Sequence, residues 1–329
     1  MKWRRFIHFT TTLAALLIPG TSPAVSLYFD TSAANGLNAG AATWDVGTTS
    51  VWATSPVPGT EAPGVWSNGS DAFFETGGVN TITISGAVSA SSVTQSVISS
   101  GTATTIGGGT LQISVGGLTN TTISNSALII NSALTLADST VFINTGTSSA
   151  GITIGGIIDD GGNGRGILKG DTGTLTLSKA NTYSGLTTVN AGSVALSGYD
   201  ASVANSVVKV SGGGSLSVNS NSGTAVGSVT RAAGVTLNGG RLNVTGVAAA
   251  NTSDVISGAL TIGSGSANSV GFGSQINLNF ATGRNTRLTF NSLAHTAGGV
   301  LVINNTSSNL GLSTIASQTP SIYLHKFVS

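Results

Sequence analysis

The sequence contains no cysteine, and only 7% of its 329 residues are charged. Without cysteine the fold cannot be held together by disulfide bonds, so its core must come from the packing of apolar side chains. The charged fraction is far below the roughly 25% of ordinary soluble domains. Because 40% of the residues are hydrophobic, the composition also excludes a solvated, disordered chain.

Basic residues are absent over a long stretch, since no lysine or arginine occurs between Phe6 and Gly164. The charged residues of this stretch are all acidic: Asp30, Asp45, Glu61, Asp71, Glu75, Asp138, Asp159 and Asp160. Nowhere does the sequence combine a concentrated basic patch with aromatic residues. Nucleic acid is therefore not an expected partner.

Apolar runs long enough to span a bilayer are also absent, and the N-terminal run is short. The first five residues include three basic ones: Lys2, Arg4 and Arg5. The apolar stretch 13–18 that follows is shorter than the roughly 20 residues that cross a bilayer. Ser22 and Ala24 suit cleavage after Ala24, with cleavage after Ser26 as the alternative. We predict a secretory signal peptide over 1–26 and no membrane span in the mature chain.

Aromatic residues are concentrated in 27–80, which differs in composition from the rest of the chain. This region contains every tryptophan outside the signal segment: Trp44, Trp52 and Trp66. Repeat arrays need atypical terminal units that cover their apolar ends. We interpret 27–80 as an N-terminal cap with buried rings. The alternative is a carbohydrate-binding platform of exposed tryptophans.

The rest of the chain, 81–329, repeats a simple pattern of two apolar residues that are two positions apart. The pairs are Ile82/Ile84, Leu111/Ile113, Leu134/Leu136, Ile152/Ile154, Leu175/Leu177, Val194/Leu196, Leu216/Val218, Leu242/Val244, Leu260/Ile262 and Leu301/Ile303. Alternation indicates strands with one buried face. Its recurrence about every 20 residues, with glycine between, indicates a solenoid. The pattern loosens after Ile303, so we expect the chain to be incomplete at its C-terminus.

The predicted fold is all-β, a right-handed parallel β-helix with an aromatic-rich N-terminal cap. The consensus of leucine-rich repeats is missing, and a propeller blade needs about 40 residues. Coils of about 20 residues can hold two or three short strands, each pairing in parallel with the next coil about 4.8 Å away. An antiparallel β-sandwich is the alternative fold.

Residues 171–197, DTGTLTLSKANTYSGLTTVNAGSVALS, carry a specific motif. The segment resembles the autotransporter-associated beta-strand repeat of secreted bacterial proteins. The matching residues are Gly173, Leu175, Leu177, Ser178, Asn181, Thr182, Tyr183, Ser184, Gly185, Thr187, Val189 and Gly192. Lys179 and Leu186 stand where the family usually has glycine. The resemblance implies a right-handed parallel β-helix exported across the bacterial envelope, a repeat that assists passenger secretion and folding, and no catalytic residues.

Asp159 and Asp160 are the only adjacent carboxylates in the chain, and Arg165 and Lys169 are the basic residues near them. Paired carboxylates can act as acid and base on polysaccharides. The alternative is a solvated turn between two coils, which we favour because no further charged residues accompany the pair. We therefore predict no catalytic residues.

Metal and cofactor sites are not predicted either. The sequence DGGNG after Asp159 resembles a calcium repeat, but Gly166 stands where that repeat has Asp, and no tandem copy follows. The histidines are isolated: His8, His295 and His325. The GGNGRG sequence is not followed by a helical pattern, so it is not a dinucleotide-binding loop.

We therefore expect an exported bacterial protein, secreted or on the cell surface, with a structural or adhesive role. The expected partners are the export machinery and cell-surface or matrix polysaccharide or other cells. The alternative is a polysaccharide-active or carbohydrate-binding β-helix protein.

Overall fold

The computed structural model describes residues 24–33, 36–57, 62–96, 103–121, 126–146, 151–219, 228–247, 252–263, 273–279, 286–296 and 298–305. The regular elements in these ranges are all β-strands, and nearly all of them pair in parallel. The predicted all-β parallel solenoid is confirmed, and the antiparallel sandwich is wrong. The right-handed sense of the coil stays a prediction. Most of the signal peptide and all of 306–329 lie outside the described residues.

The described ranges contain 24 strands. They are β1 (Ser26–Phe29), β2 (Ala41–Trp44), β3 (Ser50–Ala53), β4 (Gly64–Val65), β5 (Ser70–Phe74), β6 (Asn80–Gln95), β7 (Thr104–Asn120), β8 (Leu128–Ile130), β9 (Ala133–Leu136), β10 (Thr140–Asn144), β11 (Ile152–Ile154), β12 (Ile158–Asp159), β13 (Gly166–Lys169), β14 (Thr174–Leu177), β15 (Thr187–Val189), β16 (Gly192–Ser197), β17 (Val203–Ser211), β18 (Gly214–Asn219), β19 (Ser228–Asn238), β20 (Arg241–Thr245), β21 (Thr252–Ile262), β22 (Ser274–Asn279), β23 (Thr286–His295) and β24 (Leu301–Asn305).

Each coil contributes to three parallel sheets, which we call A, B and C in chain order. In one coil β8 lies in sheet A, β9 in sheet B and β10 in sheet C, and β11, β12 and β13 stack on them in the next coil. Longer strands such as β6, β7 and β21 bend and pass through more than one sheet. The interior between the three sheets is one continuous apolar core.

Stacked aliphatic side chains form that core, as the inner column of sheet A illustrates. Its members pair in register from coil to coil and are at most 4% exposed: Ile82, Ile106, Ile130, Ile154, Leu177, Leu196, Val218, Val244 and Leu278. The column covers about eight turns. Successive members are 19 to 34 residues apart, because loops of different length connect strands of similar length.

Some apolar pairs that appear consecutive in the sequence lie in different sheets. Leu134 belongs to sheet B and Ile152 to sheet A, so the 18 residues between them are less than a full turn. Leu260 lies in sheet C, although Leu242 before it lies in sheet A. A true turn is therefore longer, on average, than the shortest spacings suggest.

The N-terminal end of the core is filled by aromatic rings. Strands β1, β3 and β4 pair antiparallel there, in contrast to the coils that follow. Trp44 pairs in register with Ile84 in sheet A and contacts Trp52 and Trp66 at ring-centroid distances of 4.9 and 4.8 Å. All three indoles are at most 1% exposed.

The described residues include no helix long and apolar enough to cross a membrane.

Candidate functional site

Two facing segments from consecutive coils contain most of the residues that the sequence singled out. The first, 158–166, consists of β12, the turn after it and the first residue of β13. The second, 181–185, is the Asn-Thr-Tyr-Ser-Gly sequence of the next coil, which lies between β14 and β15. We call these two segments together the clasp, because several polar groups in each are bonded to the other.

The paired carboxylates accept hydrogen bonds from the clasp. Asp159 accepts from the backbone N–H of Gly161 at 2.7 Å and from the Thr182 hydroxyl at 2.6 Å. Asp160 is 1% exposed, and its Oδ2 accepts from both the backbone N–H and the hydroxyl of Ser184, at 3.1 and 2.9 Å. All four carboxylate oxygens of the pair have donors.

This bonding argues against a role for Asp160 as a general acid. Burial by itself raises the pKa of Asp160, but hydrogen bonds from Ser184, Gly162 and Arg165 together bring it below its ordinary value. A glycosidase acid needs a raised pKa so that it holds a proton at neutral pH. Asp160 stays ionised instead, and its position in a closed turn gives a polysaccharide no access.

Asn181 links three coils through its side chain. Its Oδ1 accepts from the backbone N–H of Ile158 at 2.9 Å, and its Nδ2 donates to the Ser202 carbonyl at 3.0 Å. The same Nδ2 also donates to the carbonyl of Lys179. An amide side chain is suited to this position because it is both donor and acceptor.

Gly185 allows the two coils to approach closely. Its backbone N–H donates to the Arg165 carbonyl at 3.0 Å. A Cβ at this position would overlap the same Arg165 carbonyl group and approach the Gly164 oxygen. Both obstacles are backbone, so only glycine fits without moving one coil away from the other.

Behind the clasp, three buried hydroxyls form a chain. Tyr183 OH lies 2.7 Å from Thr187 Oγ1, which lies 2.7 Å from Ser206 Oγ in the following coil. Ser206 donates to the Gly185 carbonyl at 2.6 Å. Burial raises the pKa of Tyr183, so this hydroxyl remains neutral. The tyrosine ring of the repeat is therefore part of the core.

The side chains of the two basic residues near the carboxylates bond to backbone carbonyls and not to the carboxylates. Arg165 extends to the preceding coil, where its Nη1 donates to the Leu136 carbonyl at 2.7 Å. Lys169 is buried in the inner column of sheet C between Ile143 and Val189. Its Nζ donates to the carbonyls of Gly170, at 2.9 Å, and Asp171.

Groups of residues suited to metal binding do not occur among the described residues. In the Asp-Gly-Gly-Asn-Gly turn, the carboxylate oxygens of Asp160 face backbone N–H groups, and a calcium ion would have to displace these donors. His295 bonds to the Gly299 carbonyl. His8 and His325 lie outside the described residues.

The tryptophan platform is wrong, because Trp44, Trp52 and Trp66 are enclosed in the core. Stacking on a sugar requires an exposed ring face, and these faces contact one another.

A second polar cluster inside the solenoid was not anticipated from the sequence. Arg231 and Asp254 are 2% and 1% exposed and form an ion pair with an Nε–Oδ1 distance of 2.7 Å. Arg231 lies at a bulge in β19, and its Nη1 donates to the carbonyls of Gly198, Tyr199 and Ala201. The bulge, which lets the side chain enter the interior, has no evident signal in the sequence.

These features define the class of protein: a parallel β-solenoid in which the prominent polar clusters join one coil to the next. Residues 167–196 match a family described as Passenger-associated-transport-repeat. The chain therefore carries an autotransporter passenger-associated repeat, and the resemblance seen in the sequence is confirmed. The match covers about one coil and includes the whole 181–185 segment. No curated protein and no solved structure matches the chain significantly.

Proposed function

We propose that the chain is a non-catalytic passenger that is exported from a bacterium and serves a structural or adhesive role at the cell surface or after release. The observation that carries this proposal is the clasp. In Asp159 and Asp160, the candidate catalytic pair, one oxygen of each carboxylate accepts hydrogen bonds from the next coil and the other accepts from its own turn. The solenoid fold and the transport repeat support the same conclusion.

The repeat acts in secretion by helping the passenger to fold. A solenoid grows by adding coils to a preformed edge, and each coil is stabilised mainly by its neighbours. The clasp supplies strong, specific bonds at one such edge, including charge-assisted bonds to Asp160. A coil that is bonded to its neighbour in this way is less free to move back toward the cell interior. This favours folding in one direction during export.

Cell-surface or matrix polysaccharide and other cells are the proposed partners of the outer faces. No observation on the described residues favours a carbohydrate-active enzyme, because neither the aspartate pair nor the tryptophans offer a site.

Secretion from a bacterial host tests the proposal. The wild-type chain should appear outside the inner membrane, cut after Ala24 or Ser26. Gly185→Ala should lower the secreted amount by roughly fivefold or more, because the added Cβ overlaps the Arg165 carbonyl. Thr176→Ala is the matched control in the same repeat, at an outward position of sheet A, and should be secreted normally.

Two results would refute the proposal. One is retention of the wild-type chain in the cytoplasm. The other is hydrolysis or lyase activity on a polysaccharide panel that is lost in Asp159→Ala or Asp160→Ala.

A further inference from the structure

The outer face of sheet C carries a patch of large apolar side chains. Phe142, Leu186 and Val207 are 40%, 48% and 41% exposed, and Leu168 is half-buried beside them. They come from four consecutive coils and occupy two adjacent outward rows of the sheet, with Phe142 beside Leu168 in one row and Leu186 beside Val207 in the other. The outer face of sheet A is different: it carries a ladder of polar side chains in which Asn277 bonds to Asn243 and Asn304 bonds to Asn277. An exposed apolar patch on one face of a solenoid indicates an interaction surface.

Charges of opposite sign flank this patch along one outward row of sheet C. The coil-to-coil register places these residues side by side: Asp71, Ser92, Gly117, Phe142, Leu168, Thr188 and Lys209. The row continues to Ser26 on one side and to Thr236, Thr261 and Ala294 on the other, and Phe142 lies midway between its two charged members. Since coils are about 4.8 Å apart, Asp71 and Lys209 each lie about 14 Å from it, in opposite directions.

The equal spacing of the two charges on either side of Phe142 makes this stretch of the row complementary to itself. We propose that the outer face of sheet C binds a second copy of this chain in an antiparallel, two-fold symmetric dimer whose axis passes near Phe142. In a two-fold interface, a residue at a given distance on one side of the axis meets the residue at the same distance on the other side. Asp71 therefore meets Lys209 of the second copy, and the reciprocal pair forms as well.

The two charged residues are available for these contacts. Lys209 is exposed and makes no hydrogen bond or ion pair with its side chain within the described residues. Asp71 is half-buried, and its Oδ1 accepts from the Ser92 hydroxyl at 2.6 Å, which orients the carboxylate on the outer face. The Phe142 rings of the two copies meet at the centre, where an aromatic side chain contributes most to an interface.

The patch is narrow, so the dimer is weak. Weak and transient interfaces lie at the small end of the size range of specific protein interfaces, and for this narrow face we expect a dissociation constant on the order of 10 μM. The two ion pairs select the antiparallel arrangement and make the association sensitive to salt.

Charge reversal at the two flanking residues tests the proposal. The dissociation constant of the dimer is measured by sedimentation equilibrium of the full chain. Lys209→Asp places two carboxylates opposite each other at both symmetric sites and should weaken the dimer by roughly tenfold or more. Asp71→Lys should do the same. The double variant Asp71→Lys with Lys209→Asp restores both pairs in swapped form and should return the dissociation constant to within about threefold of wild type. Arg241→Asp, at an exposed position in sheet A, is the control and should change nothing.

Cross-linking locates the axis independently. The chain has no cysteine, so Phe142→Cys supplies a single thiol. A short bismaleimide should join two copies of the Phe142→Cys variant, but not two copies of Asn243→Cys, whose thiol lies on sheet A. Sheets that pack face to face lie about 10 Å apart, and a short bismaleimide can span that distance.

Three results would each overturn the proposal: a wild-type chain that is monomeric at about 200 μM, well above the expected dissociation constant, single reversals without effect, or a double variant as weak as the single ones. Circular dichroism of every variant excludes loss of folding as the cause.

Discussion

Lys169 occupies an inward position of sheet C, in register with Ile143 and Val189, where the coils on either side place an aliphatic side chain. Burial lowers its pKa to about 8 from an ordinary 10.5, although Asp171 acts in the opposite direction. The backbone carbonyls of the corner bind the ammonium group and compensate part of the cost of its burial.

The lowered pKa of Lys169 predicts a pH dependence of the free energy of unfolding. Between about pH 8 and 10.5 the unfolded chain holds a proton on Lys169 that the folded chain has released. Stability therefore rises with pH across this window, by on the order of 2 kcal/mol. Below about pH 8 both states hold the proton, and the contribution no longer changes. Denaturant titrations at about pH 7.5, 9 and 10.5 measure this rise.

Two variants distinguish the contribution of Lys169 to the pH dependence from that of the other groups that titrate in the same pH range. Lys169→Met should lose the rise, because Met has no proton to release. Lys179→Met removes an exposed lysine of the next coil and should keep the wild-type slope. Identical slopes in the wild type and Lys169→Met would contradict the prediction.

The clasp shows how a short sequence element joins two coils. Its bonds run from Thr182 and Ser184 in the later coil to Asp159 and Asp160 in the earlier one. An ionised acceptor strengthens these bonds, and the burial of Asp160 reduces screening by water. The lowered pKa of Asp160 means that this contribution is present above about pH 4 and is lost as the pH falls further.

A double-mutant cycle between Asp160 and Ser184 should measure the strength of the clasp. Asp160→Asn removes the charge of the acceptor and Ser184→Ala removes the hydroxyl donor of the same contact, so their effects on the free energy of unfolding should not add. We expect a coupling energy of about 1–3 kcal/mol at about pH 7. Asp160→Asn combined with Ser197→Ala on sheet A is the control cycle, and its two effects should add within about 0.5 kcal/mol. A coupling near zero between Asp160 and Ser184 would mean that the clasp does not stabilise the fold.

Sequence patterns predicted which side chains of the strands face inward, but not the sheet to which each strand belongs. Alternation in Leu175–Leu177 or Val194–Leu196 indicates which side chains face inward, and the structure places them there. Alternation does not reveal the sheet to which a pair belongs, which is why Leu134 and Ile152 appeared to be one turn apart. Loop length varies from coil to coil, and only pairing between coils defines the register.

The polar interior was harder to predict than the apolar one. A lysine at the end of a strand or an aspartate in a turn normally indicates solvent exposure. Lys169 and Asp160 are buried because backbone carbonyls and N–H groups at the corners satisfy them, and those partners belong to residues up to 24 positions away. Asn181 and Gly185 were predicted by the motif, but their contacts with Ile158 and Arg165 required the structure.

The described coils form a linear stack, and its N-terminal end differs from its middle. Each coil contacts mainly its two neighbours, so stability is close to a sum of coil and interface contributions. In the middle, Arg231 ties its own coil to Asp254 in the next one and to the Gly198–Ala201 carbonyls in the one before. At the N-terminal end the aromatic cluster takes the place of a neighbouring coil.

This linear arrangement predicts that damage to the N-terminal cluster stays local. Trp52→Ala removes a ring in contact with Phe29, Trp44 and Trp66 and should cost about 3–5 kcal/mol at that end. Hydrogen exchange followed by mass spectrometry should show faster exchange in β5, β6 and β7, while β16 to β20 exchange as in the wild type. Val46→Ala changes an exposed side chain of the same region and should leave the exchange rates of both groups of strands unchanged. Equal acceleration in every coil would mean that the solenoid unfolds as one cooperative unit, because the loss of one end would then destabilise all coils together.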